Sequence, residues 1–432
     1  MAISINFHKL FLFMKKVALF ILPFVLLLGG SVFSQTDKAK KKPAEQMTDA
    51  QLGTLASQLA HRWVIADGHV DLPYRLKEKK FTGDRNVILS TKEGDFDYER
   101  AKKGGLSAPF MSIYVPSSYQ KKSDSGKEFA DSLINMVSNI ARLLPDKFAL
   151  AKTPAEVEAN FKAGKISLPM GMENGAPIGN DLNNVNYFYD RGIRYITLTH
   201  SKNNQICDSS GDTAKWNGLS PFGKKVVSEM NRVGIMIDIS HVDDSTFYQV
   251  IKLSKAPCIA SHSSCRIYSP TTRRDMTDGM IRKMKKNEGV IAVNFYNGFI
   301  DSAFANYQSK SRRAVERLLT EKKLKPGDTA SLRLIAAYKK QNPAPLVDIE
   351  RVVDHIDHIV GLIGIDHVAF GSDFDGVDGL LPKGLEDVSM YPNLIYRLLK
   401  RGYTENDIEK ICYKNLWRVW NKVEAIAKQS RN

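Results

Sequence analysis

Histidines and carboxylates recur in this chain directly after short apolar runs: His69-x-Asp71 in D-G-H-V-D, Glu173 in G-M-E-N-G and His200 in L-T-H-S. The series continues with His241 in D-I-S-H, His262 in S-H-S and Asp373 in G-S-D-F-D-G. Three histidines with an aspartate and a glutamate form a typical N/O ligand set for zinc and for other divalent transition metals. Five ligands exceed what one tetrahedral site takes. A carboxylate shared between two ions resolves the count and points to a two-metal centre with ions about 3.5–4 Å apart. Such a centre makes a hydroxide nucleophile near neutral pH and polarises a carbonyl or phosphoryl oxygen.

These residues need elements that bring them to one face. Eight apolar segments alternate with helix-length intervals: Trp63–Ala66, Phe110–Val115, Ile166–Met170, Tyr195–Leu198, Ile235–Ile239, Cys258–Ala260, Val290–Val293 and Val368–Phe370. Amphipathic stretches between them include Glu128–Leu144, Lys224–Val233, Asp278–Lys286 and Asp348–Leu362, and Gln51–Arg62 reads as a leading helix. The alternation predicts an α/β fold with a parallel sheet, and eight strands favour the (β/α)8 barrel. A dinucleotide-binding sheet would need G-x-G-x-x-G after the first strand, where this chain reads D-G-H-V-D. Barrel active sites lie at the C-terminal strand ends, which is where the histidines and carboxylates fall. Residues 301–345, rich in Lys and Arg, read as an inserted helical pair, a lid or a dimer surface, within one catalytic domain spanning 51–428.

Composition narrows the classes. Hydrophobic residues at 43% and charged residues at 25% suit a globular protein. The net charge of +15 carries no zinc-finger spacing or RNA-binding signature, so nucleic acid is not expected as a partner. Lys15 and Lys16 before the apolar stretch 17–28, with small residues Val32 and Ser34, predict a signal peptide over 1–34, cut near Gln35. Its removal takes away three lysines and lowers the charge from +15 to +12. Residues 35–50 read as a flexible lead-in. No cysteine follows the apolar stretch and the last residues are polar, so no stable membrane anchor is expected after cleavage; the protein should be secreted or periplasmic. Cys207, Cys258, Cys265 and Cys412 lack C-x-x-C spacing and read as structural or free, although export permits disulfides.

Other motifs fall away. Asp354-His355-x-Asp357-His358 looks like a metal site but belongs to a helix. The series Asp373, Asp375, Asp378 resembles the start of a calcium loop, yet position twelve is Gly384 instead of Glu. The basic run 311–325 reads as a solvated helix face. H-E-x-x-H, G-x-S-x-G and P-loop signatures are missing from the sequence.

The motifs D-G-H-V-D-L-P, G-M-E-N-G, Y-I-T-L-T-H-S, D-I-S-H, S-H-S and G-S-D-F-D-G, in this order, resemble the membrane (renal) dipeptidase family of zinc-dependent amidohydrolase-like barrels. G-L-E-D-V-S-M-Y-P-N-L and the late K-N-L-W-R-V-W extend the resemblance across residues 62–422. It implies hydrolysis of small dipeptides, including those with a D-residue at the C-terminal position, by a metal-bridging hydroxide. Two Zn2+ per chain are implied, one held by His69, Asp71 and Glu173, the other by Glu173, His241 and His262, with Glu173 bridging. His200 would stabilise the developing oxyanion, and Asp373 would bind the substrate amino group and shuttle a proton. The family places an arginine after S-H-S for the substrate carboxylate. Here Arg274 fits best and Arg273 competes, with Tyr296 as an assistant. The lipid anchor of mammalian members is not carried over, and Asn174 stands where the family favours a small residue.

Overall fold

Short β-rich runs that are apolar on both faces suit strands covered on both sides, and this chain closes them into a barrel. A computed structural model describes residues 47–121 and 124–431; the leader over 1–34 and most of the lead-in lie outside them. Ten strands form among these residues: β1 (Ile65–Val70), β2 (Leu106–Tyr114), β3 (Phe148–Leu150), β4 (Ile166–Leu168), β5 (Met170–Glu173), β6 (Ile193–Thr197), β7 (Met236–Asp238), β8 (Ile259–Ala260), β9 (Val290–Val293) and β10 (Val368–Phe370). Eight of them close an all-parallel barrel in the order β1-β10-β9-β8-β7-β6-β5-β2. The expected (β/α)8 barrel is the fold.

Two strand expectations are corrected. The run Ile166–Met170 is not one barrel strand. Its first half, β4, pairs with β3 in a separate two-stranded sheet, and the barrel strand is β5. Pro169 falls between them, and lacking an N–H it cannot continue a ladder on both sides; its carbonyl accepts from Met111 N–H at 2.8 Å. The first strand lies later than Trp63–Ala66, so His69 sits within β1 itself, and Asp71 follows as the first residue outside the helix Leu72–Glu78. The lead-in also ends sooner than 50: Thr48 and Gln51 form a capping box on the helix Asp49–Arg62.

Helices start and stop where the chemistry dictates. Ser220, Asp243 and Thr277 each cap a following helix through a side-chain oxygen, Pro221 takes the first turn of its helix, and Gly234 ends it in the left-handed region. The helix Asn415–Arg431 lies against the strand starts: Trp420 is fully buried on Phe110, ring centroids 5.2 Å apart, in a cluster with Tyr195, Met236, Ile259 and Val290. Truncating a side chain so enclosed costs about 3–5 kcal/mol. The insertion is a helical pair, Ser302–Glu321 and Thr329–Gln341, its first helix capped by Asp301. All four cysteines are buried free thiols. On the helix Ile349–Ile363, buried His355 accepts from Cys265 N–H at 2.9 Å while its Nε2 lies 3.0 Å from Ile300 O; His358 meets Asp278 at 2.7 Å. Asp354 and Asp357 pair with Arg401. That motif ties the helix to its neighbours and gathers no ligand set.

Candidate metal centre and active site

Two buried aspartates shape the strand exits before any ligand is reached. Asp67 on β1 accepts from the N–H groups of His69 and Ser372 at 2.9 and 3.0 Å, and from the Tyr391 hydroxyl. Asp238 on β7 accepts from the N–H groups of Ser240 and Ser261 at 3.0 and 2.8 Å, and from the Ser261 hydroxyl at 2.6 Å. Each carboxylate therefore fastens its own strand end to a neighbouring one, as buried acceptors must find donors. His241, Asp373, Asp375 and Asn174 hold positive φ values of 67°, 68°, 68° and 81°. Non-glycine residues in that region are uncommon and concentrate where side chains are aimed for a purpose.

The fold brings together the seven strand-end residues His69, Asp71, Glu173, His200, His241, His262 and Asp373. Glu173, 4% exposed, lies at the centre. Its Oε2 is 3.4 Å from His69 Nε2, which is itself 3.4 Å from Asp71 Oδ2. Its Oε1 is 3.1 Å from His241 Nε2 and 3.5 Å from the Nε2 atoms of both His262 and His200. The Nε2 atoms of His241 and His262 face each other at 2.9 Å. Asp373 joins His69 and Asp71 in a third group whose ligand atoms lie within 4.8 Å of one another. The far ring nitrogens are occupied. Tyr195 meets His69 Nδ1 at 2.7 Å, and Ser261 meets His262 Nδ1 at 2.7 Å, so each ring turns Nε2 inward. Such outer partners fix the tautomer a metal ligand needs.

The electrostatics suit a bound cation. Burial works to raise the Glu173 carboxyl, but His200, His69, His241 and His262 hold it well below the usual range. Burial, with Arg274 close by, pushes His241 and His262 well below the ordinary imidazole value, so they are neutral with lone pairs to offer. Against burial, the oxygens of Tyr195, Glu173 and Asp71 raise His69 well above it. A field that holds a proton on His69 Nε2 would hold a metal there instead. His69 Nε2 and Asp71 Oδ1 are buried without a hydrogen-bond partner. A Cβ on Gly376 would stand 2.3 Å from Asp71 Oδ2 and 2.6 Å from Asp373 Oδ1, so the glycine keeps the space between these carboxylates clear. Orphaned ligand atoms, neutral imidazoles and a cleared cradle fit bound metal.

Around this centre the remaining predicted residues take different places. Arg274 donates to Ser263 Oγ and His262 O, both at 2.6 Å, and its guanidinium lies 5.4 Å from the Phe299 ring centre. Its Nε is buried without a partner. Arg273 is exposed. Of the two, the fold brings Arg274 to the centre. Asp373 accepts from Asn294 Nδ2 at 2.9 Å, and burial pushes its carboxyl up to about 7, against the pull of His69 and with Asp71 and Glu173 adding to the rise. His200, its side chain 22% exposed, meets the His241 ring at a tilt and the Tyr114 ring edge-on, and burial lowers its pKa. Tyr296 is bonded to Gln308 on the first insertion helix. Asn174, standing where the family favours a small residue, bonds to Val115 O and accepts from Ala176 N–H, bracing the turn after Glu173.

Sequence reasoning missed Tyr195, Asp67 and Asp238, and gave Ser261 and Asn294 no role beyond polar residues at strand ends. Asp67 and Asp238 each carried a signal, a charge inside an apolar strand, but the others are ordinary residues whose partners lie on different strands. Gly171 marks Tyr195 from the other side. A Cβ there would sit 2.0 Å from the Tyr195 ring, so the glycine makes the notch that holds the phenol.

A sequence model of the membrane dipeptidase family, peptidase family M19, matches residues 54–432. A dipeptidase of Schizosaccharomyces pombe described as uncharacterized is 32% identical over 373 residues, 83% of this chain and 81% of that protein. The solved structure of the probable dipeptidase PvdM from Pseudomonas aeruginosa matches with a TM-score of 0.75 at 26% identity, covering 88% of this chain and all of the other. A metallopeptidase from Rhodobacter sphaeroides, solved with a phosphinate mimic of the dipeptide L-Ala-D-Ala, matches at 0.68 and 26%, covering 84% and 99%.

Proposed function

The chain belongs to the membrane dipeptidase family and is a metallo-dipeptidase of that family, and from that premise we propose an exported enzyme using two zinc ions to cleave small dipeptides, including those ending in a D-residue. The observation that carries the two-ion reading is Glu173, whose Oε2 faces His69 while Oε1 faces His241 and His262. One carboxylate with ligands on both oxygens is what a bridged pair requires. His69, Asp71 and Glu173 would hold one ion, and Glu173, His241 and His262 the other. When bound, the zinc pair would supply a nucleophile at neutral pH and a polarised carbonyl.

The protein's own groups do the rest. Asp373 sits beside the ligands with its Oδ2 held by Asn294, so its Oδ1 is the oxygen that takes a proton from water and returns it to the leaving nitrogen. A carboxylate within reach of both the water and the leaving nitrogen is the acid–base group this reaction needs. The same carboxylate pairs with the substrate ammonium. His200, kept neutral by burial, donates to the carbonyl oxygen as negative charge develops there. Arg274 holds the substrate carboxylate, and a guanidinium already fixed by Ser263 and His262 O loses little freedom in doing so. Tyr296 assists it. The Gln308–Tyr296 bond favours the lid among the two roles expected of the insertion.

Support for a D-residue comes from the Rhodobacter sphaeroides relative and its L-Ala-D-Ala mimic. Export rests on the leader at 1–34. Among the described residues, no helix is long and apolar enough to cross a membrane. The test is metal content measured with hydrolysis of an L,L and an L,D dipeptide, before and after chelation. Two zinc per chain, with activity lost to chelator and restored by zinc, is the expected result. Two metals with no turnover of either peptide would move the reading to another amide hydrolase.

A further inference from the structure

The barrel has a second concavity at the opposite end from the metal ligands. It is a cavity of about 650 Å³ where the helices Asp244–Leu253 and Asp278–Lys286 end and β8 and β9 begin. Lys252, Lys255, Lys283, Lys286 and Lys422 line it, drawn from three separate stretches of chain, with Glu288 as the one acidic residue in the lining. None of the five lysines pairs with a carboxylate among the described residues. Unpaired lysines occur elsewhere on the chain; what sets these five apart is that they line one cavity. Like charges gathered without partners repel, and a concave wall concentrates their field.

A plainer explanation covers part of this. Lysines in a last helical turn complement the negative end of the helix dipole, which accounts for Lys252, Lys283 and Lys286. It does not account for Lys255, which lies beyond its helix, or for Lys422, which lies well inside the helix Asn415–Arg431. Nor does it account for their convergence on one cavity. Ile251, Ile426 and Pro257 give the same cavity an apolar side, and the Tyr248 ring beside them is 43% exposed.

We propose that this cavity binds a compact anion carrying several phosphate or sulfate groups on an apolar frame. Multiple ammonium groups suit multiply charged oxyanions as point charges, and the apolar wall and tyrosine suit the frame. The position, at the strand starts, leaves the catalytic end open while the anion is bound.

The probe is sucrose octasulfate, titrated calorimetrically into the zinc-loaded full chain at low salt. In parallel, vesicles of phosphatidylglycerol and phosphatidylcholine in equal parts test whether the anion is displayed on a lipid surface instead of free. The variant is Lys255→Glu with Lys422→Glu, both exposed positions remote from the metal ligands. Saturable one-site binding of the octasulfate, weakened about a hundred-fold in the variant and by added salt, would establish the free ligand. Vesicle binding lost in the variant would establish the displayed one. Dipeptide hydrolysis should be unchanged in the variant, which separates its folding from its binding. No saturable binding of either probe, or equal binding by variant and parent, would overturn the proposal.

Discussion

Replacing Tyr195 by phenylalanine removes one oxygen atom from the barrel interior and should weaken the metal centre without disturbing its shape. The phenol is fully buried and meets His69 Nδ1 at 2.7 Å. For His69 Nε2 to ligate, Nδ1 must carry the proton and donate it, and the Tyr195 oxygen is its acceptor. In Tyr195→Phe the ring still fills the notch at Gly171 and still packs on Phe110 at 5.5 Å. The buried N–H is then left without a partner, a loss of about 1–3 kcal/mol. Partners of metal-bound histidines are worth about 10–100-fold in metal affinity, the same range expressed as an equilibrium. The assay is zinc competition against a chromophoric chelator, with thermal unfolding of the chelated protein alongside. Zinc affinity should drop by that factor, and activity at saturating zinc should largely return. Unchanged zinc affinity would refute the assignment of His69 as a ligand oriented by Tyr195.

Three further outcomes are expected. Asp373→Asn should keep its zinc and lose about 10²–10⁴-fold in kcat, because the amide cannot carry the proton; retained turnover, measured with metal content, would remove that role. Arg274→Lys keeps the charge but loses the fork, so KM for dipeptides should rise about 10–100-fold with zinc content unaltered, and an unchanged KM would place the substrate carboxylate elsewhere. His355 is buried neutral, with burial lowering its pKa from 6.5 to about 4. As pH falls the unfolded chain takes the proton first, so this stabilisation is whole above 6.5 and is lost as pH falls through 4, on the order of 3 kcal/mol in all. Denaturant titrations over that window should be steeper for the parent than for His355→Gln, and parallel curves would exclude the effect.

The barrel and the clustering of the candidate site were legible because both are written in local pattern. His69, His200, His241, His262, Glu173 and Asp373 each follow an apolar run, and a parallel barrel puts all such positions on one rim. The order of strands around the barrel followed from their order in the chain. What was not legible depends on partners distant in sequence. Pro169 divides a run that looks continuous, and its first half pairs with Phe148–Leu150, a segment too short to show a period. Tyr195 looks like any apolar strand residue until His69, 126 positions away, meets its hydroxyl. Asp67 clasps Ser372 across 305 positions, and no spacing rule reaches that far. Buried His355 read as one of several helix charges because its partners, Cys265 and Ile300, lie on other elements.

The left-handed backbone at His241 and Asp373 has a consequence for anyone breeding this protein for heat resistance. A side chain in that region carries about 1–3 kcal/mol of strain that glycine would relieve. A screen that rewards survival at high temperature alone would therefore drift toward glycine at these positions and harvest sturdier barrels with no catalyst in them. Selection would have to score turnover in every round, since here the easiest gains in robustness lie on residues proposed to carry the chemistry.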